Sequence, residues 1–358
     1  MLGIHPSWTP NPAEAVAPRL SGSIDVSLVS SKKNPYWRLL DTVFHLLRSR
    51  RSLDCAVILV YSGRSFRIAE VSSRVARAVG LPTVLWLHGG GLPALAKASP
   101  RRVKRLLKGS STCVAPSRYL QRRLSHLGVP IKVIPNLLDL PITRFQPRPT
   151  VQPKILWLRK FEDIYQPLAA VEIFHNIRTS HPGAQMTMAG QDRGLQEKTL
   201  GHAKELGCQD EINFPGFLSG SDKAAAFATH DIFLHTNTVD NAPVALVEAA
   251  AHGLPIVAAD VGGIADLFED DVSALLFPPQ STDVATAAIL RLLAEPDLAV
   301  RLAIQDEVLI KNTGPVGLGP DAVGELDGVP EILQHGNAPE SLLGMRLRDV
   351  LLESAGSG

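Results

Sequence analysis

The sequence predicts an α/β protein with two doubly wound parallel-sheet domains. Short apolar, β-branched segments alternate with helical patterns along most of the chain. Its 358 residues suit two domains of about 150 residues each. A proline-rich stretch at 141–153 divides the chain near its middle. With 45% apolar and 20% charged residues, the composition is that of a globular protein and excludes a disordered or fibrous chain.

The elements follow in order along the chain. Strands are predicted at 56–61, 83–87, 131–134, 154–158, 184–188, 212–214, 231–235 and 255–259. Helical patterns lie between them, among them 68–79, 100–108, 117–127, 167–180, 195–206, 244–252 and 283–293. Because strands alternate with helices, we expect parallel sheets with helices on both faces.

The predicted domains are residues 1–147 and 148–305, facing one another across a cleft that holds the ligand. Residues 306–358 carry no aromatic side chain and are rich in glycine and proline towards the end. We expect them to form a poorly ordered tail.

Charge is divided unevenly along the chain. Residues 1–150 hold 23 Lys and Arg against 6 Asp and Glu, whereas the remainder holds 13 against 29, so that the net charge is only +1. A basic surface attracts nucleic acid, anionic lipid or phosphorylated substrates. Attraction between the two halves explains the same pattern equally well.

Features absent from the sequence argue against several classes of protein. No run approaches the roughly 18 apolar residues of a membrane-spanning helix, and the amino terminus lacks the features of a secretory signal. Cys55, Cys113 and Cys208 are too scattered for a disulfide framework or a metal site. The cytosol is therefore the expected location. Without a D-x-D pair, we expect no metal.

Residues 236–266, TNTVDNAPVALVEAAAHGLPIVAADVGGIAD, are the most informative segment. Asp240 precedes a predicted helix, and Glu248 lies in the middle of that helix. Helix amino termini bind phosphate and carboxylates accept hydrogen bonds from hydroxyls, so this pattern suits a sugar linked to a nucleotide. A capping Asp or Asn followed by a solvent-facing Glu is the alternative. Gly253, Gly262 and Gly263 favour the first interpretation, because glycines let a second backbone turn approach the same site.

This segment resembles the signature of the retaining family 4 glycosyltransferases of GT-B architecture. That signature is an acidic-x7-Glu element, here Asp240-x7-Glu248, followed by a Gly-x-Pro strand and a Gly-Gly-Ile turn. The sequence DNAP around Asp240 is similar to a subgroup with DN-x-P. Further matching pieces occur in the family's order at 87–90, 115–117, 134–136, 159 and 189–190.

The resemblance implies a role for each site residue. Glu248 would bind the ribose of the donor, Asp240 and Asn241 would face the transferred sugar, and Arg159 would neutralise the diphosphate. His88, in the first domain, would contact the sugar near its reacting carbon; a strand-end histidine bonded to backbone is the alternative. The family usually has a Lys a few residues after this Arg, whereas only Lys160 is basic here.

The resemblance also implies a reaction. A hexosyltransferase-type enzyme would move a sugar from a nucleotide-sugar to a polysaccharide, lipid-linked or small-molecule acceptor, with retention of anomeric configuration. In the family's usual same-face mechanism the departing phosphate takes the acceptor proton, so no free base is assigned. The nucleotide-sugar is a substrate, and neither cofactor nor metal is expected.

The sequence has three other interpretations. Gly89 to Ala94 fits the G-x-G-x-x-A pattern of a dinucleotide site, but no acidic residue follows until Asp139, which argues against an oxidoreductase. The basic residues lack an interleaved aromatic platform beyond Tyr119, which argues against a nucleic-acid binder. A degenerate GT-B protein that binds nucleotide-sugar without turnover remains open.

The basic residues of the first half also suggest a membrane contact. They cluster in 101–108 and 118–132, where Val103, Leu106 and Leu107 form an apolar face for the core or for a bilayer. Such a run is usually a solvated helix face. Several cations near anionic head groups would nevertheless hold the protein at the inner membrane leaflet.

Overall fold

The computed structural model describes residues 2–4, 25–30, 32, 34–136 and 145–313. These residues form two compact units, one ending at Asn136 and one extending from Phe145 to Thr313. Residues 141–144 of the predicted linker and the predicted tail beyond Thr313 lie outside the described residues.

The first unit is a parallel α/β unit. Its strands are β1 (Leu2–Ile4), β2 (Ser27–Val29), β3 (Ala56–Val60), β4 (Thr83–Leu87), β5 (Thr112–Ala115) and β6 (Lys132–Val133). Its helices are α1 (Pro35–Ser49), α2 (Arg64–Ala78), α3 (Leu92–Ala98), α4 (Pro100–Lys108) and α5 (Arg118–Leu124). Strands β3 to β6 pair in chain order, and β1 pairs with β2. All of these pairings are parallel, as the alternation of strands and helices predicted.

Helix α4 packs its apolar face into the core of the first unit. Val103, Leu106 and Leu107 are buried together with the apolar side chains of β3, β4 and β5. Arg102, on the same helix, makes two hydrogen bonds to Glu70, at 2.9 and 2.5 Å. The sequence left open whether this apolar face packs on the core or on a bilayer, and in the structure it packs on the core.

The second unit has a six-stranded parallel sheet. Its strands are β7 (Lys154–Leu158), β8 (Gln185–Ala189), β9 (Ile212–Gly216), β10 (Ile232–His235), β11 (Ile256–Ala259) and β12 (Leu275–Phe277). Its helices are α6 (Pro167–Ser180), α7 (Gln196–Glu205), α8 (Gly220–Thr229), α9 (Val244–Ala251), α10 (Thr282–Ala294) and α11 (Pro296–Thr313). The spatial order is β9-β8-β7-β10-β11-β12. The chain thus winds one way from β7 and the other way from β10, which confirms the doubly wound fold class.

Some elements were not among the predicted ones. They include the short strands β5 and β12, with four and three residues, and helix α1. Helix α11 continues to Thr313, beyond the predicted end of the second domain at 305. Among the helices described, none has the length and apolar character needed to cross a membrane.

Arg148 links three segments of the second unit. Its guanidinium is almost fully buried and donates to the carbonyls of Phe227 and His230 at 2.7 and 3.1 Å, and to that of His252 at 2.8 Å. These carbonyls lie at the carboxyl ends of α8 and α9, where helices leave acceptors without partners. A more distant ion pair with Asp231, at 3.7 Å, offsets part of the cost of burying the charge.

We expect Arg148→Ala to destabilise the protein by about 3 kcal/mol, because it leaves several buried carbonyls without a donor. The half-exposed Arg178 is the matched control, since it also joins a carbonyl, that of Gly207, and a carboxylate, that of Glu211. Arg178→Ala should cost about 1 kcal/mol or less. Urea unfolding measures both variants, and equal losses would contradict the role given to Arg148.

Candidate functional site

The predicted site residues of the second unit gather at the carboxyl edge of its sheet. Arg159 directly follows β7, Gly190 follows β8, and Asp240 lies in the loop between β10 and α9. Strands β7 and β10 are neighbours in the sheet, and the winding reverses between them. In doubly wound sheets, ligands bind at this switch point, in the crevice outside the carboxyl ends of the strands.

Asp240 is the centre of a hydrogen-bonded cluster. Its Oδ2 accepts from Asn237 Nδ2 at 2.7 Å, from His235 Nε2 at 3.2 Å and from Arg159 Nη2 at 3.3 Å. Its Oδ1 accepts from the backbone N–H of Asn241 at 2.8 Å. Among the described residues, three donors thus reach Oδ2 and one reaches Oδ1, which fixes the carboxylate in one orientation.

The cluster keeps Asp240 ionised and His235 neutral. Burial raises the pKa of Asp240, but the His235 hydrogen bond and the Arg159 charge together outweigh it and hold the pKa below its usual value. Burial, assisted by the Arg159 charge, lowers the pKa of His235 to about 4. Because His235 donates through Nε2, its neutral ring carries the proton there. At neutral pH the site therefore holds one carboxylate, one guanidinium and one neutral imidazole.

Gly262 and Gly190 lie so close to the backbone of the cluster that a side chain at either position would not fit. Gly262 has φ +64°, and a Cβ there would lie 1.6 Å from the carbonyl oxygen of Asp240. A Cβ on Gly190 would lie 1.7 Å from the carbonyl oxygen of Arg159. The predicted approach of a second turn to the site is confirmed for Gly262. For Gly253 it is wrong, because that glycine makes room for the backbone of Gln146.

Glu248 lies in the middle of α9, as predicted, and its side chain is buried. Lys223, at the start of α8, binds its Oε1 at 2.5 Å. Helix α9 begins after Pro243 and has no side-chain cap. The alternative of a capping residue followed by a solvent-facing Glu is therefore wrong on both counts.

A group of cations lies beside Arg159. The loop after β8 pairs with the loop after β7 through a bridge between Phe161 and Asp192, and the N–H of Arg193 donates to the carbonyl of Phe161 at 3.2 Å. This pairing places Arg193 near Lys160, whose pKa is lowered by burial and then by the Arg193 charge. Within the described residues, Nε of Arg159 is buried and lacks a hydrogen-bond partner.

His88 lies in the first unit, directly after β4. Its ring stacks on Tyr61, with 5.8 Å between centroids, and contacts Trp86 at 4.7 Å. Burial lowers its pKa to about 3, so the ring is neutral at pH 7. Its Nε2 is buried and finds no hydrogen-bond partner in the described part of the chain. The adjacent glycines pack closely, since a Cβ on Gly89 would lie 2.8 Å from the backbone nitrogen of Ser62.

The structure thus brings Arg159 and Asp240 together, with Asn241 adjacent, and places Glu248 about one turn into the helix that follows. The sequence alone does not point to four further residues of the site, namely His235, Asn237, Lys223 and Arg193. His235 and Asn237 lie at a strand end, five and three residues before Asp240, and this spacing is a local signal that could have identified them. Lys223 is 25 residues from its partner Glu248, so no local pattern indicates their contact. In the ranges that the structure describes, no group of three or more His, Cys, Asp or Glu side chains could hold a metal ion.

Two family models match the chain in succession. The model for Glycosyltransferase Family 4 matches residues 4–141, and the model for Glycosyl transferases group 1 matches residues 142–307. The boundary between them coincides with that between the two compact units.

Individual relatives are more distant. A GDP-mannose-dependent alpha-mannosyltransferase of Mycobacterium tuberculosis is 24% identical over 282 residues, which cover 75% of this chain and 72% of that protein. The putative colanic acid biosynthesis glycosyltransferase WcaL of Escherichia coli is 28% identical over 170 residues, 44% of this chain and only 41% of that protein.

A solved structure shows the same fold over almost the whole chain. The Anabaena protein Alr3699/HepE matches with a TM-score of 0.72 and 15% identity, covering 98% of this chain and 99% of that one. The fold is therefore GT-B, and with its two matching domains the chain belongs to the group 1 glycosyltransferases.

Proposed function

We propose that this protein transfers a sugar from a nucleoside diphosphate-sugar to an acceptor with retention of anomeric configuration. The observation that carries the proposal is the ionised Asp240 at the switch point, 3.3 Å from the Arg159 guanidinium. One group accepts hydrogen bonds from sugar hydroxyls, and the other neutralises phosphate. A nucleotide-sugar offers both of these chemistries within one molecule.

The diphosphate binds beside Arg159. Asp240 takes up one Nη of this arginine, whereas the buried Nε lacks a partner among the described residues. Lys160 and Arg193 add two further cations in place of the Lys that the family usually has after the arginine. Burial and then the Arg193 charge lower the pKa of Lys160, and a diphosphate at this cluster offsets the second of these effects. As the glycosidic bond breaks, the same cations stabilise the charge of the leaving group.

The nucleoside lies towards α9. Glu248 accepts hydrogen bonds from the ribose hydroxyls, and Lys223 holds its carboxylate in one orientation. The uncapped amino terminus of α9 contributes the positive end of the helix dipole to the donor site.

The transferred sugar faces Asp240 and Asn241, and His88 contacts it near the reacting carbon. Because the ring of His88 is neutral at pH 7, it acts as a hydrogen-bonding group and not as a cation. None of these three side chains is assigned as a base. The departing phosphate takes the acceptor proton on the same face of the sugar. The acceptor is a polysaccharide, a lipid-linked glycan or a small molecule.

The names of the relatives leave the nucleotide open. The mycobacterial relative is GDP-mannose-dependent, and the Anabaena structure is a complex with UDP and glucose. The nucleotide is therefore the first property to determine.

A thermal-shift screen with UDP, GDP, ADP and their sugars identifies the donor. A ligand at about 100 times its Kd adds about 2.7 kcal/mol to the folded state, so the cognate nucleotide raises the Tm. Glu248→Ala should abolish this shift, whereas Glu172→Ala, which removes a half-exposed carboxylate on α6 paired with His202, should leave it unchanged. An unchanged shift in Glu248→Ala would refute the ribose assignment.

A transfer assay with that donor tests the sugar assignments. Asp240→Asn should lower kcat by about 100-fold or more, because it removes the negative charge and one acceptor oxygen at the reacting sugar. His88→Ala should lower kcat sharply, because it removes a hydrogen-bonding ring there. The bare nucleotide should still shift the Tm of both variants. Asp210→Asn and His126→Ala, at exposed positions, are the controls.

Other outcomes of this assay are also decisive. Parental rates in either variant would refute that residue's role. A wild-type protein that binds donor but gives neither transfer nor hydrolysis would be the degenerate GT-B protein. An inverted anomeric configuration in the product, read by NMR, would refute retention, and loss of activity in EDTA would refute metal independence.

A further inference from the structure

Helix α1, Pro35–Ser49, presents its apolar side to solvent. Five large apolar side chains are between 46% and 79% exposed, namely Tyr36, Trp37, Leu40, Phe44 and Leu47. At 3.6 residues per turn they fall within an arc of about 100°, which is the width of an apolar stripe that usually faces a core. We call these five side chains the outer stripe.

The opposite side of α1 faces the first unit and is partly polar. Its buried residues are Arg38, Thr42 and Leu46. The guanidinium of Arg38 donates to the carbonyl of Lys32 at 3.0 Å, and the hydroxyl of Thr42 donates to the carbonyl of Arg38 at 2.8 Å. Leu46 packs into an apolar cluster with Val29 and Ala56, so a narrow side of the helix contacts the unit. The wider apolar side stays exposed, which is the reverse of an ordinary surface helix.

Cations border the outer stripe. Lys32 precedes the helix, Arg48 lies in its last turn, and Arg50 and Arg51 follow it; all four are exposed. Asp41 is the sole acidic residue within the helix. A surface groove beside the stripe is lined by Lys32, Asn34, Trp37, Leu40, Asp41 and Phe44. The surface thus combines aromatic and leucine side chains with a basic border.

We propose that the outer stripe docks on an anionic lipid bilayer. Trp and Tyr favour the boundary between head groups and acyl chains, because each ring has an apolar body and one polar group. Phe and Leu are typical of the apolar face of helices that bind there. An amphipathic helix with this composition lies in the plane of the interface with its apolar face buried. The bordering cations then lie at the level of the anionic head groups, where their attraction adds to apolar burial.

Charge favours a bilayer over a second copy of the chain. Two copies joined by their outer stripes would bring Lys32 and the arginines of one copy against cations of the other, in either helix orientation. Helix α4 is a poorer docking element, because its apolar side chains are in the core. The proposal moves the expected membrane contact from α4 to α1, and it does not depend on the sugar-transfer reaction.

Vesicle flotation of the full chain tests this proposal. Wild-type protein should float with vesicles of phosphatidylcholine and phosphatidylglycerol, and weakly with phosphatidylcholine alone. Leu40→Ser/Phe44→Ser should lower the partition coefficient about tenfold or more, because two apolar side chains no longer enter the interface. Leu200→Ser/Val284→Ser, at comparably exposed helical positions of the second unit, should bind like wild type. Arg50→Glu/Arg51→Glu should lose the preference for anionic vesicles.

Tryptophan fluorescence gives a second readout that does not depend on stability. Trp37 is 64% exposed, whereas Trp86 and Trp157 are fully buried, so vesicles should shift the emission of Trp37 to the blue. The shift should disappear in Trp37→Phe.

Three outcomes would overturn the proposal. Binding that is unchanged in Leu40→Ser/Phe44→Ser would leave only an electrostatic contact. A wild-type dimer that becomes monomeric in this variant, without vesicle binding, would make the stripe an interface between copies. A monomer that ignores vesicles and loses stability in the variant would indicate that another segment of this chain covers the stripe.

Discussion

The second unit is organised around one buried carboxylate. Asp240 lies largely out of water, and an unpaired charge there would cost several kcal/mol. Three side-chain donors and one backbone N–H offset that cost, from Arg159, His235, Asn237 and Asn241. Because these donors come from the ends of two different strands, the carboxylate also fixes the loops after β7 and β10 relative to one another.

The surrounding sequence follows from that constraint. Gly262 and Gly190 lack a Cβ because the carbonyl oxygens of Asp240 and Arg159 occupy the space. Trp157 donates to Thr236 at 3.0 Å, and Thr236 donates to the carbonyl of Tyr165 at 2.8 Å, which ties the same two strand ends together. A site that is held this rigidly needs little rearrangement when an anionic ligand binds, and this is the physical basis of preorganised electrostatic stabilisation.

The sequence predicts features that depend on local residue patterns. It misses contacts between residues that are distant in the chain and meet only in the folded structure. The alternation of strands and helices was sufficient for the doubly wound fold, and the spacing of Asp240 and Glu248 placed both residues correctly on a loop and a helix. The pairing of Glu248 with Lys223 joins residues 25 positions apart on different helices, and nothing in the local pattern signals it. The contact of Gly253 is also between distant residues, so the sequence predicts the wrong partner for it. This glycine lies against the backbone of Gln146 and not against the Asp240 site. Helix α1 was not among the predicted elements, and the rule that apolar faces point inward fails for it, because its apolar stripe is exposed.

The protonation state of His235 tests the central claim most directly. Burial and the Arg159 charge lower the pKa of His235 to about 4, although the bond to Asp240 raises it. His235 therefore stays neutral and donates its Nε2 proton to the ionised Asp240. The unfolded chain takes up a second ring proton near pH 6.5, so stability should fall as the pH decreases from 6.5 towards 4. Nitrogen NMR of histidine-labelled protein, assigned with His235→Gln, should show an Nε2-protonated ring that does not titrate between pH 8 and 5. Titration of His235 near pH 6.5, or a proton on Nδ1, would contradict the account.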